Sequence, residues 1–351
     1  MHALDPLANF AITPELLRLV AEVDEFKGRW QAAGNLAPER LSRLKKIATV
    51  ESVASSTRIE GVVLTDQEVE RLLSGLSTTS FRTRDEQEVA GYADVMEMVF
   101  ATWAEMPVSE NVVRQLHGML LRHSSKDERH RGHYKTVPNH VEAFDATGHS
   151  LGVVFQTATP FDTPFRMAEL FEWFARGTAA GEHHPLLLVG VFVVRLLAIH
   201  PFQDGNGRLS RVLTTLLLLK AGYAYVPYAS LERVVEENKD QYYLSLRRAQ
   251  ATQDKGEAQL GEWILFFLRS LATQKRTLER KLASERVMAP LPALSEHILR
   301  VANEHGRATI LGVVELTGAS RGTVRNHFRE LVAANVLELH GRGRGAWYKP
   351  K

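Results

Sequence analysis

Apolar residues recur at helical spacing along most of the chain. Between Ile12 and Trp30, the residues Leu16, Leu17, Val20, Val23 and Phe26 fall at intervals that gather them toward one helical side. Leu41 to Ile59 carries a second amphipathic pattern. Thr65 followed three positions later by Glu68 is the capping-box signature of another helix start. The spans 85–103 and 109–121 read as further helices, with Ser109 suited to the N-cap and Val112, Val113 and Leu116 behind it. Pro185 to Ile199 is apolar except for Arg195, too long for a strand and rich in Leu, which predicts a buried helix. Leu209 to Ala221 predicts a second one, and helices near 237–252 and 258–285 follow. Leu151 to Pro160 is the exception, alternating enough to predict a short β-hairpin arm. The pattern therefore predicts a mainly α fold, with a helical bundle over about 80–275 and one hairpin.

Met288-Ala289-Pro290-Leu291-Pro292 breaks the pattern and marks a domain boundary. Beyond it, helices are expected over 294–302, 310–316 and 321–334, the last opened by Ser320 as N-cap. Two short strands are expected over 336–348, around a Gly- and Arg-rich turn. Three helices and a hairpin resemble a winged-helix domain, a relative of the helix-turn-helix. The expected organisation is an N-terminal helical region (1–79), a core (80–287) and a C-terminal winged-helix domain (293–351).

Composition narrows the picture. The chain has 351 residues and a net charge of +2, so no polyanionic partner is implied for the whole. The charge is uneven: residues 293–351 hold nine basic and five acidic residues, a balance of +4 that leaves −2 for the rest. Arg321, Arg325 and Asn326 on the third helix, with Arg342 and Arg344 at the wing, are placed to contact DNA. The alternative for this unit is dimerisation or another protein contact. There is no cysteine, which excludes disulfides and thiol catalysis and fits a reducing cytoplasm. The N-terminal segment lacks the pattern of a signal peptide. The apolar run at 185–199 is shorter than the ~20 residues a membrane span needs, so no membrane association is expected. The expected location is the cytoplasm. His117, His123, His130, His133 and His140 show no metal-site spacing and are expected to be solvated or packed.

The chemistry concentrates in one string, His200-Pro201-Phe202-Gln203-Asp204-Gly205-Asn206-Gly207-Arg208-Leu209-Ser210-Arg211, lying between the two predicted core helices. His200, before a proline that cannot continue the helix, suits a general base at neutral pH. Asp204 can hold Mg²⁺, which takes oxygen ligands and bridges carboxylate to phosphate. Gly205-Asn206-Gly207 permits positive φ, so successive N–H groups can form an anion nest at a helix N-terminus. Arg208 and Arg211 are three apart and share a helix face, as a phosphate clamp requires. A plain helix–turn–helix corner with solvated arginines is the alternative.

This string resembles the signature of Fic-domain proteins, H-x-F-x-[D/E]-G-N-G-R-x-x-R, and matches it at every fixed position. The resemblance implies a Fic-type helical bundle with a short β-hairpin flap, and transfer of AMP from ATP to a Ser, Thr or Tyr hydroxyl of target proteins and of the chain itself. It implies His200 as the base, Asp204 as the Mg²⁺ ligand, and Gly205, Asn206 and Gly207 around the α- and β-phosphates. Arg208 would neutralise phosphate charge and Arg211 would hold the γ-phosphate. Ser56-Thr57-Arg58-Ile59-Glu60-Gly61 resembles the family's inhibitory motif, [S/T]-x-x-x-E-[G/N], in which Glu60 would pair with Arg211 and block the γ-phosphate. A Glu before a capping glycine opposes the helix dipole, which favours a functional reading; an exposed helix-end carboxylate is the alternative. Tyr242 and Tyr243, with Leu246 and Gln250, resemble the helix that lines the adenine pocket, although such a pair also suits simple packing. Leu151 to Pro160 would be the flap, aligning a target segment by strand pairing. Gly132-His133-Tyr134-Lys135 resembles the family's G-x-Y-R stretch, with Lys in place of Arg. Two other functions fit the same residues. One is removal of AMP or transfer of another phosphate-bearing group, with Glu60 orienting water. The other is a nucleotide-sensing transcription regulator. A homodimer is compatible with either.

Overall fold

A computed structural model describes residues 5–32, 38–75, 81, 83–139, 141–144, 150–251, 259–287, 293–333, 336–341 and 346–350. The helical periodicities become α1 (Pro14–Ala32), α2 (Pro38–Ile59), α3 (Asp66–Ser74), α4 (Arg84–Thr102) and α5 (Glu110–Leu120). Two strands follow, β1 (Val141–Phe144) and β2 (Ser150–Phe155). Then come α6 (Thr163–Ala180), α7 (Pro185–Ile199), α8 (Asn206–Lys220), α9 (Leu231–Glu237), α10 (Lys239–Ala251) and α11 (Leu260–Val287). The chain divides into two compact units, 1–278 and 279–351.

The centre of the first unit is α7, in which 13 residues are buried, including Phe192, Val194 and Leu196. Each such side chain contributes roughly 1.5–3 kcal/mol when taken from water, so this helix anchors the bundle. It packs on α6, α8 and α10. Helix α2 lies against α4, α8 and α9, which brings the 56–61 segment to the loop after α7. Thr65 and Thr83 both close capping boxes, with Glu68 and Glu86. Ser109 accepts from the Val112 N–H and starts α5.

The hairpin differs from expectation. Only 151–155 of the expected arm is extended, and its partner is the upstream β1, in antiparallel pairing with Glu142 opposite Val153. Residues 156–160 leave the strand: the Thr157 hydroxyl donates to Asn139 O, Thr159 Oγ1 accepts from the Asp162 N–H, and Thr159 O accepts from the Thr163 N–H, starting α6. Helix α6 was itself masked in the sequence pattern by exposed aromatics: Phe165 faces solvent while Met167, Leu170 and Trp173 face the core.

The second unit contains α12 (Ala293–His305), α13 (Ile310–Thr317), α14 (Arg321–Ala333), β3 (Leu337–His340) and β4 (Trp347–Pro350). Ile298, Val313, Val324, Phe328, Leu331 and Leu337 form its core, with Tyr348 stacked on Phe328 at 4.2 Å. Strands β3 and β4 pair antiparallel, and Ala308 exchanges both backbone hydrogen bonds with Tyr348 at 2.8 Å. Arg321, Arg325 and Asn326 are exposed on α14. Arg342 and Arg344 lie outside the described residues, as does the break at 288–292.

Candidate active site

The loop between α7 and α8 is built by its own side chains. Helix α7 ends at His200, whose φ of 52° is the only positive value of a non-glycine residue among those described. Asn206, buried at the first position of α8, stitches the loop from inside. Its Oδ1 accepts from the Phe202 N–H (2.9 Å) and its Nδ2 donates to Phe202 O (2.7 Å). The side chain is thus committed to the loop, and anion contact from residue 206 is left to the backbone. Gly205 takes φ 78° as the N-cap, where glycine carries no Cβ penalty. The N–H groups of Asn206, Gly207 and Arg208 precede the first helical hydrogen bond, from Leu209 N–H to Gly205 O (2.9 Å). They face outward at the positive end of α8, as an anion site requires.

The His200 ring is oriented by Leu197 O, which lies 3.3 Å from Nδ1. A proton on Nδ1 donates to that carbonyl, so the lone pair is on Nε2. Withdrawal from water pushes the imidazole pKa down to about 4; Leu197 O, Glu60 and Asp204 oppose this and Lys135 reinforces it. The ring is neutral at pH 7 and can accept a proton.

Asp204 is held below the usual carboxylate range. Burial works against its charge, but Arg208, the Gly205 N–H and Arg84 outweigh it. Arg208 Nη2 lies 3.3 Å from Asp204 Oδ1 and Arg84 Nη2 lies 3.4 Å from Oδ2. An ionised, one-third exposed carboxylate beside a phosphate-type nest fits Mg²⁺, which needs one or two carboxylates and takes its other ligands from phosphate and water. Arg208 is buried and paired with Glu88 at 2.8 Å, and its Nε makes no hydrogen bond among the described residues.

Arg211, also buried, is fully engaged from α2. Its Nε donates to Ser56 Oγ (2.8 Å), and its Nη2 donates to Ser56 O (2.9 Å) and Glu60 Oε1 (2.7 Å). Glu60 lies just past the end of α2, where Gly61 takes φ 104°. Burial disfavours its charge, yet Arg211 and Arg208 hold its pKa below 4.5. The carboxylate rests on the loop itself: a Cβ built on Gly207 would collide with Glu60 Oε1. Tyr242 is buried against Trp263 and lines one cavity with Arg211 and Ser210. Tyr243 is half-buried and faces the field of Glu60, while Gln250 is buried one turn beyond Leu246. The structure thus brings His200, Asp204, Gly207, Arg208, Arg211, Glu60, Tyr242 and Tyr243 to one place.

Two supports of the loop escaped the sequence pattern. His117, fully buried on α5, stacks on Phe202 at 3.8 Å and lies 3.0 Å from Asp204 O through Nε2, while its Nδ1 accepts from the Gly132 N–H (2.9 Å). Lys135 donates from Nζ to Asn139 Oδ1, Thr157 Oγ1 and Ile199 O at 2.7, 2.9 and 3.0 Å. Neither has a motif at short spacing; the Lys135 position was visible only as a departure from G-x-Y-R.

A helical unit presenting a histidine, a helix N-terminus and two arginines on one loop has the chemistry to hold an anion such as phosphate. Residues 107–218 match the model of the Fic/DOC family, and the chain carries a Fic domain. A protein named protein adenylyltransferase Fic from Drosophila grimshawi is 27% identical over 244 residues, covering 69% of this chain and 46% of that protein. The protein of the same name from Culex quinquefasciatus is 26% identical over 274 residues, covering 76% and 49%. The chain thus spans about half the length of the curated relatives it matches. Among solved structures, a Fic family protein from Desulfovibrio desulfuricans superposes with a TM-score of 0.64, 24% identity and 97% coverage of both chains. A Fic domain containing signaling protein from Bacteroides thetaiotaomicron gives 0.58 and 26%, covering 76% of this chain and 94% of that one. Among the described residues, no helix is long and apolar enough to cross a membrane.

Proposed function

We propose that this chain is a protein adenylyltransferase, held inactive by Glu60. The observation that carries the reading is the His200 ring, its Nδ1 turned to Leu197 O, on the same loop as the helix N-terminus at 205–207. In the reaction, a Ser, Thr or Tyr hydroxyl of a target protein attacks the α-phosphorus of ATP. Its proton passes to His200 Nε2, the new P–O bond forms and pyrophosphate leaves. Loop N–H groups at 206–208 and Arg208 neutralise the phosphates, and Tyr243 stands at the edge expected for adenine. Asp204 would hold Mg²⁺, which supplies charge neutralisation to the phosphates when bound. In phosphoryl transfer such positioning and neutralisation provide most of the rate.

Inhibition follows from the same geometry. Arg211 cannot hold a γ-phosphate while it donates to Glu60 and Ser56, and the Glu60 carboxylate occupies the surface of Gly207 that a phosphate would use. The test is incorporation of labelled AMP into protein by wild type, Glu60→Gly, and Glu60→Gly with His200→Ala or Arg211→Ala. Glu60→Gly should label itself and lysate proteins faster than wild type. His200→Ala should remove that activity by roughly 10²–10⁴-fold while ATP still binds. ATP turnover without protein-bound AMP would overturn the reading.

For the C-terminal unit we infer a winged helix that contacts DNA. What supports this is the exposed Arg321, Arg325 and Asn326 on one helix, in the part of the chain with the basic excess. Salt-dependent binding to duplex DNA, measured as described below, tests it.

A further inference from the structure

Four consecutive carbonyls leave the end of α7, at residues 199–202, and the 135–139 segment reaches all of them. Lys135 Nζ donates to Ile199 O (3.0 Å), and the Lys135 N–H donates to Pro201 O (2.9 Å). Asn139 Nδ2 donates to Phe202 O (2.6 Å) and lies 3.5 Å from His200 O. Carbonyls at a helix C-terminus have no partner of their own, and a non-glycine residue in the left-handed region costs free energy. His200 therefore keeps φ 52° because its neighbours on both sides are held from outside the loop.

The same two side chains also grip the foot of the hairpin. Lys135 Nζ donates to Thr157 Oγ1 (2.9 Å) and to Asn139 Oδ1 (2.7 Å), and Thr157 Oγ1 donates to the Asn139 carbonyl. Thr157 lies two residues past the end of β2. All three ammonium protons of Lys135 are thus used, one on the loop, one on the hairpin and one on the residue that bridges them. The ammonium is buried, and burial lowers its pKa to about 8. A cation is kept in so dry a place at a cost, which its three acceptors offset.

We infer that Lys135 and Asn139 are positioning residues: they clamp the backbone at His200 and tie it to the foot of β2, so the aim of the ring depends on the hairpin. This rests on His200 being the base. A target segment that pairs with the hairpin would load the same node, so hydroxyl binding and ring alignment are coupled through Thr157. Lys135 reaches three acceptors that lie apart, which suits a compact ammonium; a planar guanidinium can satisfy the loop and the hairpin together but spreads its donors differently.

The experiment uses the full chain with Glu60→Gly, so that transfer is measurable, and adds Lys135→Met, Lys135→Arg or Asn139→Ala. Lys135→Met and Asn139→Ala should lower kcat by roughly 10²-fold, as an ångström-scale misplacement of a reacting group does. KM for ATP should stay within about twofold, because the nest is untouched. Lys135→Arg should recover most of the rate. A second readout is the titration of the His200 ring by NMR in ¹³C-histidine-labelled chain, the signal assigned by its loss in His200→Ala. The charged groups facing that ring are Lys135 from before β1, Asp204 from the loop and Glu60 from the end of α2. Since Glu60 is replaced throughout, removal of the Lys135 cation should raise the ring's pKa above its value in the Glu60→Gly parent. A fall in KM-independent rate without that rise, and without rescue by Lys135→Arg, would mean a merely structural lysine and overturn the inference. Transfer kept by both Lys135→Met and Asn139→Ala but lost in His200→Ala would overturn it alone. Transfer kept in His200→Ala would overturn the base assignment and the inference with it.

Discussion

At the scale of single residues, the site's histidines set a pH dependence. His117 is fully buried between Gly132 N–H and Asp204 O, and burial lowers its pKa to about 4, opposed by the Asp204 carbonyl. The unfolded chain takes up that proton near pH 6.5, whereas the folded one refuses it until about 4. Stability from His117 is therefore complete above pH 6.5 and lost as pH falls toward 4, a contribution on the order of 3 kcal/mol for a gap of this size. Denaturant unfolding of wild type and His117→Gln at pH 7 and pH 4.5 should show a smaller acid loss in the variant. Glu60 runs in the same direction with a different cause: its pKa is lowered by Arg211 and Arg208, so its contribution is full above pH 4.5 and fades below it. Legibility at this scale followed sequence distance. Residues 200–211 could be read as a candidate site because the glycines, histidine and arginines are contiguous. His117 could not be told from the other histidines, since what distinguishes it is Phe202 and Asp204, some 87 residues away. The Glu60–Arg211 contact, spanning 151 residues, was accessible only through resemblance.

At the scale of elements, the end of α2 carries a latch. Arg58 donates to both carboxylate oxygens of Glu236 on α9 (2.6 and 2.9 Å), to Asp66 Oδ1 at the start of α3 (2.9 Å) and to Leu64 O (3.1 Å). Arg233 joins Asp66 from α9. A bidentate, four-fifths buried pair fixes a helix end more firmly than an exposed one. Arg58→Ala or Glu236→Gln should therefore free the segment that presents Glu60 and raise AMP incorporation by the otherwise wild-type chain. Neither should add to the rate of Glu60→Gly, and additivity there would show that the pair acts elsewhere. Apart from α6 and the seven-residue α9, the helices were legible from their apolar spacing and caps. Helix α6 was not, because Phe161 and Phe165 lie exposed beside its apolar stripe. Strand β1 was not, because four residues are too few to show a period.

At the scale of the whole molecule, the 200–211 loop and the 56–61 segment lie within the first compact unit. Helix α1 is bound to α11 there, through Glu22 with Arg276 (2.6 Å) and Glu15 with Arg269 (2.6 Å). Truncation after Val287 should leave self-labelling by Glu60→Gly intact, read by labelled AMP on the shortened chain. DNA binding by the full chain should weaken steeply with salt, and Arg321→Ala with Arg325→Ala should reduce the slope of log affinity against log salt by about 2 if each meets one phosphate. A slope unchanged by both substitutions would place the contact elsewhere. The charge excess of residues 293–351 was legible from composition, and so was the side of α14 that carries it, because the spacing of Val324, Phe328 and Leu331 marks the opposite, apolar face that the core buries.

The left-handed backbone of His200 has one more consequence. Glycine would be at ease there, alanine would not, and histidine is retained in spite of its conformation. His200→Gly should therefore be more stable than His200→Ala by about 1 kcal/mol, and the role proposed for the ring predicts that neither transfers AMP. The protein's stability optimum and its working sequence diverge at this position. With the proposed role of His200, selection for thermal robustness alone would drift toward a tougher, silent chain.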